Sequence, residues 1–200
     1  MSHTKHYFYI VLLIFSLNLS AQNTMEEDPE ITQNNINYRI LQSQTELQNF
    51  NYYNAQKHLD EALELAEKGD NKKSLGLIYA LKGRIQLIID EKDKAIKSLN
   101  KAIEIQRIID DNLHLGSSYK PFGDVYLAKK DYYSALDSYR AAKSKFEEEE
   151  LNEELAETLL REGKTYIELK NYHKARDVIE QALAIAKKYD YLETQSGSLI

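Results

Sequence analysis

Residues 159–186 read LLREGKTYIELKNYHKARDVIEQALAIA, and their spacing describes two helices that approach each other closely. In the second half Ala175, Val178, Ile179, Ala182, Ile185 and Ala186 fall at i, i+3, i+4, i+7, i+10 and i+11, one face of a helix with 3.6 residues per turn. Alanine keeps that face shallow. In the first half Leu159, Leu160, Gly163, Tyr166 and Ile167 form the partner stripe. A glycine inside such a stripe costs about 1 kcal/mol against alanine, so a close backbone contact is its best explanation, with the aromatic one turn later filling the groove beside it.

The pattern recurs along the chain with a period of about 40 residues. Ala55 pairs with Ala62, Ala95 with Ala102, Ala135 with Ala142 and Ala175 with Ala182; Gly83, Gly123 and Gly163 keep the same beat, with Ser43 in the equivalent place of the first unit. One hairpin cannot bury its own apolar face, whereas stacked neighbours can. The reading is an all-α stack of antiparallel helix pairs.

These residues resemble the tetratricopeptide repeat. The third unit carries the resemblance with Tyr119, Phe122, Gly123, Tyr126, Ala135, Tyr139 and Ala142, and the fourth with Leu159, Gly163, Tyr166, Ala175, Ile179 and Ala182. The turns agree through Asn51-Tyr52, Asp131-Tyr132 and Asn171-Tyr172. The second unit departs with Gln86 for the tyrosine and Glu91-Lys92 at its turn; the first, with Arg39, Gln42, Ser43 and Glu46, is degenerate. The family's usual unit is about 34 residues, and the proline that normally follows its second helix is replaced by Glu147 and Lys187. Roughly six extra residues per unit would lengthen the helices by about 9 Å in total. The resemblance implies a right-handed superhelical solenoid whose first helices line a concave surface for an extended peptide or a partner helix.

The first 21 residues have the pattern of a secretory signal: Lys5 with His3 and His6, an apolar run from Tyr7 to Leu19, then the small residues Ser20 and Ala21. The run is shorter than the roughly 20 residues of a membrane-spanning helix, so cleavage after Ala21 and a periplasmic location are expected. With no cysteine, stability there would come from packing alone. Residues 22–35, QNTMEEDPEITQNN, read as a flexible acidic leader broken by Pro29. Four units are expected at 36–69, 72–110, 113–149 and 151–190, with Gly69 ending a helix in a left-handed conformation. Pro121 conflicts with the first helix of the third unit; a start near Ser118 would place it in the first turn and is preferred, while a start near Leu115 would give a kink. Residues 191–200 read as the start of a truncated fifth unit, Leu199 standing where Leu159 stands in the fourth.

Composition excludes several functions. With 26 basic and 32 acidic residues, net charge −6, and no basic stripe, the chain lacks the electrostatic footprint of a nucleic-acid binder. The acidic run Glu147–Glu150 suits the positive end of the following helix and lacks the spacing of a calcium loop. His58, His114 and His173 fall at unlike places in different units, so no metal is assigned, and no cofactor. There is no cysteine nucleophile, Gly-x-Ser-x-Gly elbow or phosphate-cradling glycine loop, which argues against an enzyme.

One column is informative for binding. Gln44, Arg84, Asp124 and Lys164 each stand one residue beyond the small residue of their unit. The resemblance implies that they face the groove, together with Lys120, as contacts for a protein or peptide; ordinary solvated surface is the competing reading. Leu47, Leu87, Leu127 and Ile167 are expected to pack the solenoid. A clamp of paired Lys and Asn for a chaperone's terminal carboxylate, known in some family members, is disfavoured, since Ile40 and Gln44 replace the pair and Asp124 would repel a carboxylate. A secretory signal before long repeats resembles the sensory halves of bacterial membrane signalling proteins that carry a histidine kinase or helix-turn-helix module. The leading expectation is therefore an extracytoplasmic interaction scaffold, with a free-standing periplasmic assembly or tethering factor as the alternative and a cytoplasmic peptide-binding regulator as a third. Membrane contact would come only through a downstream segment or an uncleaved signal.

Overall fold

The computed structural model describes residues 28–189, which are helical throughout apart from short joints. The helices are α1 (Pro29–Gln48), α2 (Tyr52–Lys68), α3 (Lys72–Ile88), α4 (Lys92–Ile108), α5 (Asn112–Ala128), α6 (Tyr132–Glu148), α7 (Asn152–Glu168) and α8 (Tyr172–Lys188). The signal segment, residues 22–27 of the leader, and the start of a fifth unit at 191–200 lie outside the described residues.

From α2 onward every helix has 17 residues, about 25 Å at 1.5 Å per residue. Each joint contains one residue with positive φ: Phe50, Asp70, Asp90, Asp110, Lys130, Glu150 and Lys170. That residue donates its N–H three residues back and the next donates five back, as Asp70 does to Glu67 at 3.3 Å and Asn71 to Ala66 at 2.9 Å. This is the Schellman arrangement, which satisfies carbonyls left over at a helix end. It occurs within units and between them alike, so the 40-residue period is built from two equal halves. Gly69 was expected to take the left-handed conformation; its φ is −90° and Asp70 takes that role at 45°.

Two helix starts differ from expectation. α1 begins at Pro29, so residues 29–35 are helix rather than flexible leader: Asp28 accepts the Glu30 N–H at 2.9 Å, and Pro29 occupies the first turn, where it needs no N–H partner. α5 begins at Asn112, not near Ser118, because Asp110 supplies the left-handed joint and Asp111 accepts the His114 N–H at 3.3 Å. Pro121 is thus buried inside a helix and withholds the hydrogen bond that the Ser117 carbonyl would otherwise receive.

Within each pair the small residue admits the partner helix. A Cβ added at Gly123 would lie 2.5 Å from Tyr139 Cε1, and one at Gly83 would lie 2.5 Å from Leu99 Cγ; Gly163 meets Ile179 in the same way. Ala55, Ala62, Ala95, Ala102, Ala135, Ala142, Ala175 and Ala182 are all buried. A second small column, Gly76 and Gly116, was not foreseen: it receives Gln106 and Phe146 from the second helix of the same unit. The second unit compensates for its missing tyrosine with a buried hydrogen bond, Ser98 Oγ to Gln86 Oε1 at 2.7 Å.

The core runs across the seams between units. Ile36, Ile40 and Leu59 of the first unit pack with Ile78, Leu81 and Ile85 of the second, and Phe146 of the third packs with Leu155 and Leu159 of the fourth. Sequential helices pack as neighbours, and successive first helices also touch directly, α3 with α5 most closely. The first helices therefore form the inner layer of the solenoid.

Candidate protein-binding groove

A depression of about 440 Å³ lies across three inner helices. α3 contributes Leu87; α5 contributes Asp124, Leu127 and Ala128; α7 contributes Arg161, Lys164 and Glu168. Lys130 and Tyr132, at the joint after α5, complete the lining. Of the five residues expected to contact a ligand, this depression brings together Asp124 and Lys164. Arg84 is exposed one turn before Leu87 on α3, Gln44 is exposed on α1, and Lys120 is half-buried one turn before Asp124.

Asp124 and Lys120 are not free contacts. Asp124 Oδ1 accepts hydrogen bonds from the Tyr139 hydroxyl at 2.7 Å and Arg161 at 3.1 Å, and Lys120 pairs with Glu157 at 2.5 Å. The two ion pairs join α5 to α7 with opposite polarity, one turn apart, so the third and fourth units are clasped at their inner edge. Burial of Tyr139, followed by the adjacent Asp124 carboxylate, pushes the phenol far above its ordinary range and keeps its proton in place. Tyr139 thereby couples the core of the third unit to the groove.

The apolar column behaves differently from its expected packing role. Leu47, Leu87 and Leu127 are half-buried, with Leu47 and Leu87 packed partly on core clusters, whereas Ile167 is 45% exposed. Leu87 both packs against the core and lines the groove, and half-buried Leu127 lines it as well. Leu41 at 60%, Ile88 at 48% and Leu160 at 38% exposure add further apolar surface on first helices.

Reading one column at a time does not find Arg161 in the groove lining, nor Glu157 and Tyr139 as partners of Lys120 and Asp124. The two ion pairs carry a signal: Lys120 and Asp124 are answered by Glu157 and Arg161, each with a separation of 37 residues and opposite charge. A second depression of about 360 Å³ lies between α4, α5 and α6, but its cations are engaged, Arg107 with Tyr119 and Lys145 with Glu148. Among the described residues no group of three ligating side chains could hold a metal ion, and no helix is long and apolar enough to cross a membrane.

Comparison with known proteins agrees with this architecture. Two family models, each described as a tetratricopeptide repeat, match residues 77–108 and 115–188, together more than half of the chain. Tetratricopeptide repeat protein 29 of Macaca fascicularis is 31% identical over 149 residues; the match covers 72% of this chain and 30% of that protein. Among solved structures, the apo form of RapI superposes with a TM-score of 0.76 at 18% identity, over 92% of this chain and 66% of that one. A signal transduction ATPase with numerous domains and a tetratricopeptide repeat sensor, from Pyrococcus horikoshii, gives a TM-score of 0.67 at 23% identity, over 78% of this chain and 25% of that one. This chain thus spans less than a third of the curated relative. Repeat period, glycine-seated hairpins, inner groove and family matches lead to one conclusion: the chain belongs to the tetratricopeptide repeat family.

Proposed function

We propose that this chain is an exported, non-catalytic scaffold that binds a protein or peptide partner in the groove across α3, α5 and α7, and that it serves as the sensory input of a larger signalling protein. Tetratricopeptide repeats generally mediate protein or peptide binding, which supports the coarse reading. The observation that carries the groove is the meeting of solvent-facing apolar and charged side chains from three successive units in one depression. The apolar N-terminal run supports export. The Pyrococcus protein with its repeat sensor makes an input role reasonable by likeness of fold. A free-standing assembly or tethering factor is the second reading, carried by the same groove.

Two measurements test this. Intact mass and N-terminal identification after cell fractionation should find an exported form beginning at Gln22; a cytoplasmic form retaining Met1 overturns export. A membrane-bound species well above 23.2 kDa supports the sensor, whereas a soluble exported species near the mass of the processed chain favours the tether. A photocrosslinker at Lys164, which is exposed and lines the depression, should capture the partner, while one at exposed Glu104 on α4 should not. Equal capture from Glu104 would overturn the groove.

A further inference from the structure

The three seams between units are not equally well filled. Residues one period apart occupy the same place in successive units, so the seams can be compared position by position. Near the joint of the first seam stand Ala66 and Ile78, both in the buried cluster that joins the first two units. At the third seam the same places hold Phe146, clustered with Leu155 and Leu159, and Thr158, whose hydroxyl donates to the Glu154 carbonyl at 2.7 Å. At the middle seam they hold Gln106 and Ser118, 1% and 0% exposed. Neither the Gln106 amide nor the Ser118 hydroxyl has a hydrogen-bond partner among the described residues. Leu115 is the buried apolar side chain that α5 retains at this end. Desolvated polar atoms thus lie where the neighbouring seams are apolar or satisfied.

The far end of the middle seam is sound. Ala95 and Leu99 of α4 close on Val125 of α5, and beyond them Asp93 pairs with Lys129, an exposed bridge of small strength. The joint end carries only Arg107 over Tyr119, at 5.7 Å from the ring centre, besides the joint itself. The third seam has apolar clusters at both ends, Leu136 with Tyr166 and Phe146 with Leu159, and two ion pairs between α5 and α7. Parting the middle seam therefore costs less apolar burial, and it returns the Gln106 and Ser118 polar atoms to water. In a stack whose stability sums units and nearest-neighbour seams, the weakest seam opens first. We propose that this seam is the hinge of the solenoid: the first two units and the last two move as rigid halves about the tight joint at Asp110, with the Asp93–Lys129 pair as the latch at the far end. The inner depression straddles the latch end, since Leu87 belongs to one half and Asp124, Leu127 and Ala128 to the other. Hinge angle then sets how far apart those walls stand, a consequence that rests on the groove reading above, whereas the hinge itself does not.

The test is double electron–electron resonance on the full chain, which has no cysteine of its own to interfere with labelling. Cysteines carrying spin labels are introduced in pairs along one column of the second helices, at exposed Lys57, Lys97 and Asp137 and half-exposed Asp177. The pair at Lys97 and Asp137 spans the middle seam; Lys57 with Lys97 and Asp137 with Asp177 span the first and third. The expected result is a distance distribution across the middle seam about twice as wide as the other two, as motion of rigid bodies about a hinge gives. Adding Gln106→Met and Ser118→Ala removes the desolvated polar atoms and should narrow the middle distribution to the width of its neighbours, leaving those unchanged. Circular dichroism checks that this double variant is folded; should it unfold, the comparison of the three seams without it decides. Three equally narrow distributions, or a middle one that stays wide in the folded double variant, overturns the hinge. No partner is present in the measurement, so a rigid seam leaves the groove reading standing, and a groove that captures nothing leaves the hinge standing.

Discussion

Tyr139, buried at 0% exposure in the second helix of the third unit, donates its phenolic hydrogen to Asp124 on the inner surface of the first helix. Replacing Tyr139 by Phe leaves the ring over Gly123 and removes only this bond. The expected loss is about 1.5–3 kcal/mol, the range for a hydrogen bond to a charged group. Thermal unfolding should show the loss, and a double-mutant cycle with Arg161→Ala should give non-additive values, since both residues share Asp124.

Gly123 and Gly69 should respond in opposite directions to alanine. At Gly123 the added carbon would sit 2.5 Å from the Tyr139 ring, so the hairpin must open or the ring must leave the core. A loss of about 2–3 kcal/mol is expected, as for other overpacked sites. At Gly69 φ is −90° and the nearest atom is 3.7 Å away, so Gly69→Ala should gain about 0.5–1 kcal/mol by restricting the unfolded chain. Urea titrations of the two variants check both signs.

Gln106 is 1% exposed, and neither polar atom of its side-chain amide has a hydrogen-bond partner among the described residues. Gln106→Met keeps a flexible side chain against Gly76 and removes the desolvated amide, so a gain of about 1 kcal/mol is expected. Gln86→Met should destabilise by a similar amount, because it strands the Ser98 hydroxyl. Chemical unfolding of both variants tests the contrast.

Asp93 on α4 pairs with Lys129 at the end of α5, at 2.6 Å. The hydrogen bond from Lys129 and then its charge hold the carboxyl below its ordinary range. With the folded value depressed, the pair's contribution is present above the unfolded value of about 3.9 and disappears as pH falls through the lower folded value. A carboxyl NMR titration should place the Asp93 midpoint below that of an unpaired aspartate, and Lys129→Ala should return it to the ordinary range.

The fold was legible because each alanine pair and its glycine describe one local hairpin, and the structure seats Gly83 and Gly123 under Leu99 and Tyr139 as that reading requires. The helix starts were less legible. Pro29 lay in a polar acidic stretch, and composition obscured the stronger local signal of Asp28 capping a proline-started helix. Pro121 drew attention to its own restriction, whereas Asp110 and Asp111 upstream fix where α5 begins. The groove was half legible: the column at Arg84 and Lys164 is exposed, but the neutralisation of Asp124 depends on register between units, which places Arg161 opposite it. The twenty-residue half-period is only partly written in residue type: Asp70, Asp90 and Asp110 are alike, whereas Phe50, Lys130, Glu150 and Lys170 share with them only a backbone conformation.

That shared conformation makes the joints interchangeable. Asp90 and Lys130 close their helices with the same two backbone bonds, so a chain lacking residues 91–130 would still pass from α3 into α6 through a turn of known shape. The molecule can lose or gain a rung without inventing a new splice, and its lineage can change the reach of the ladder by copying one segment of DNA.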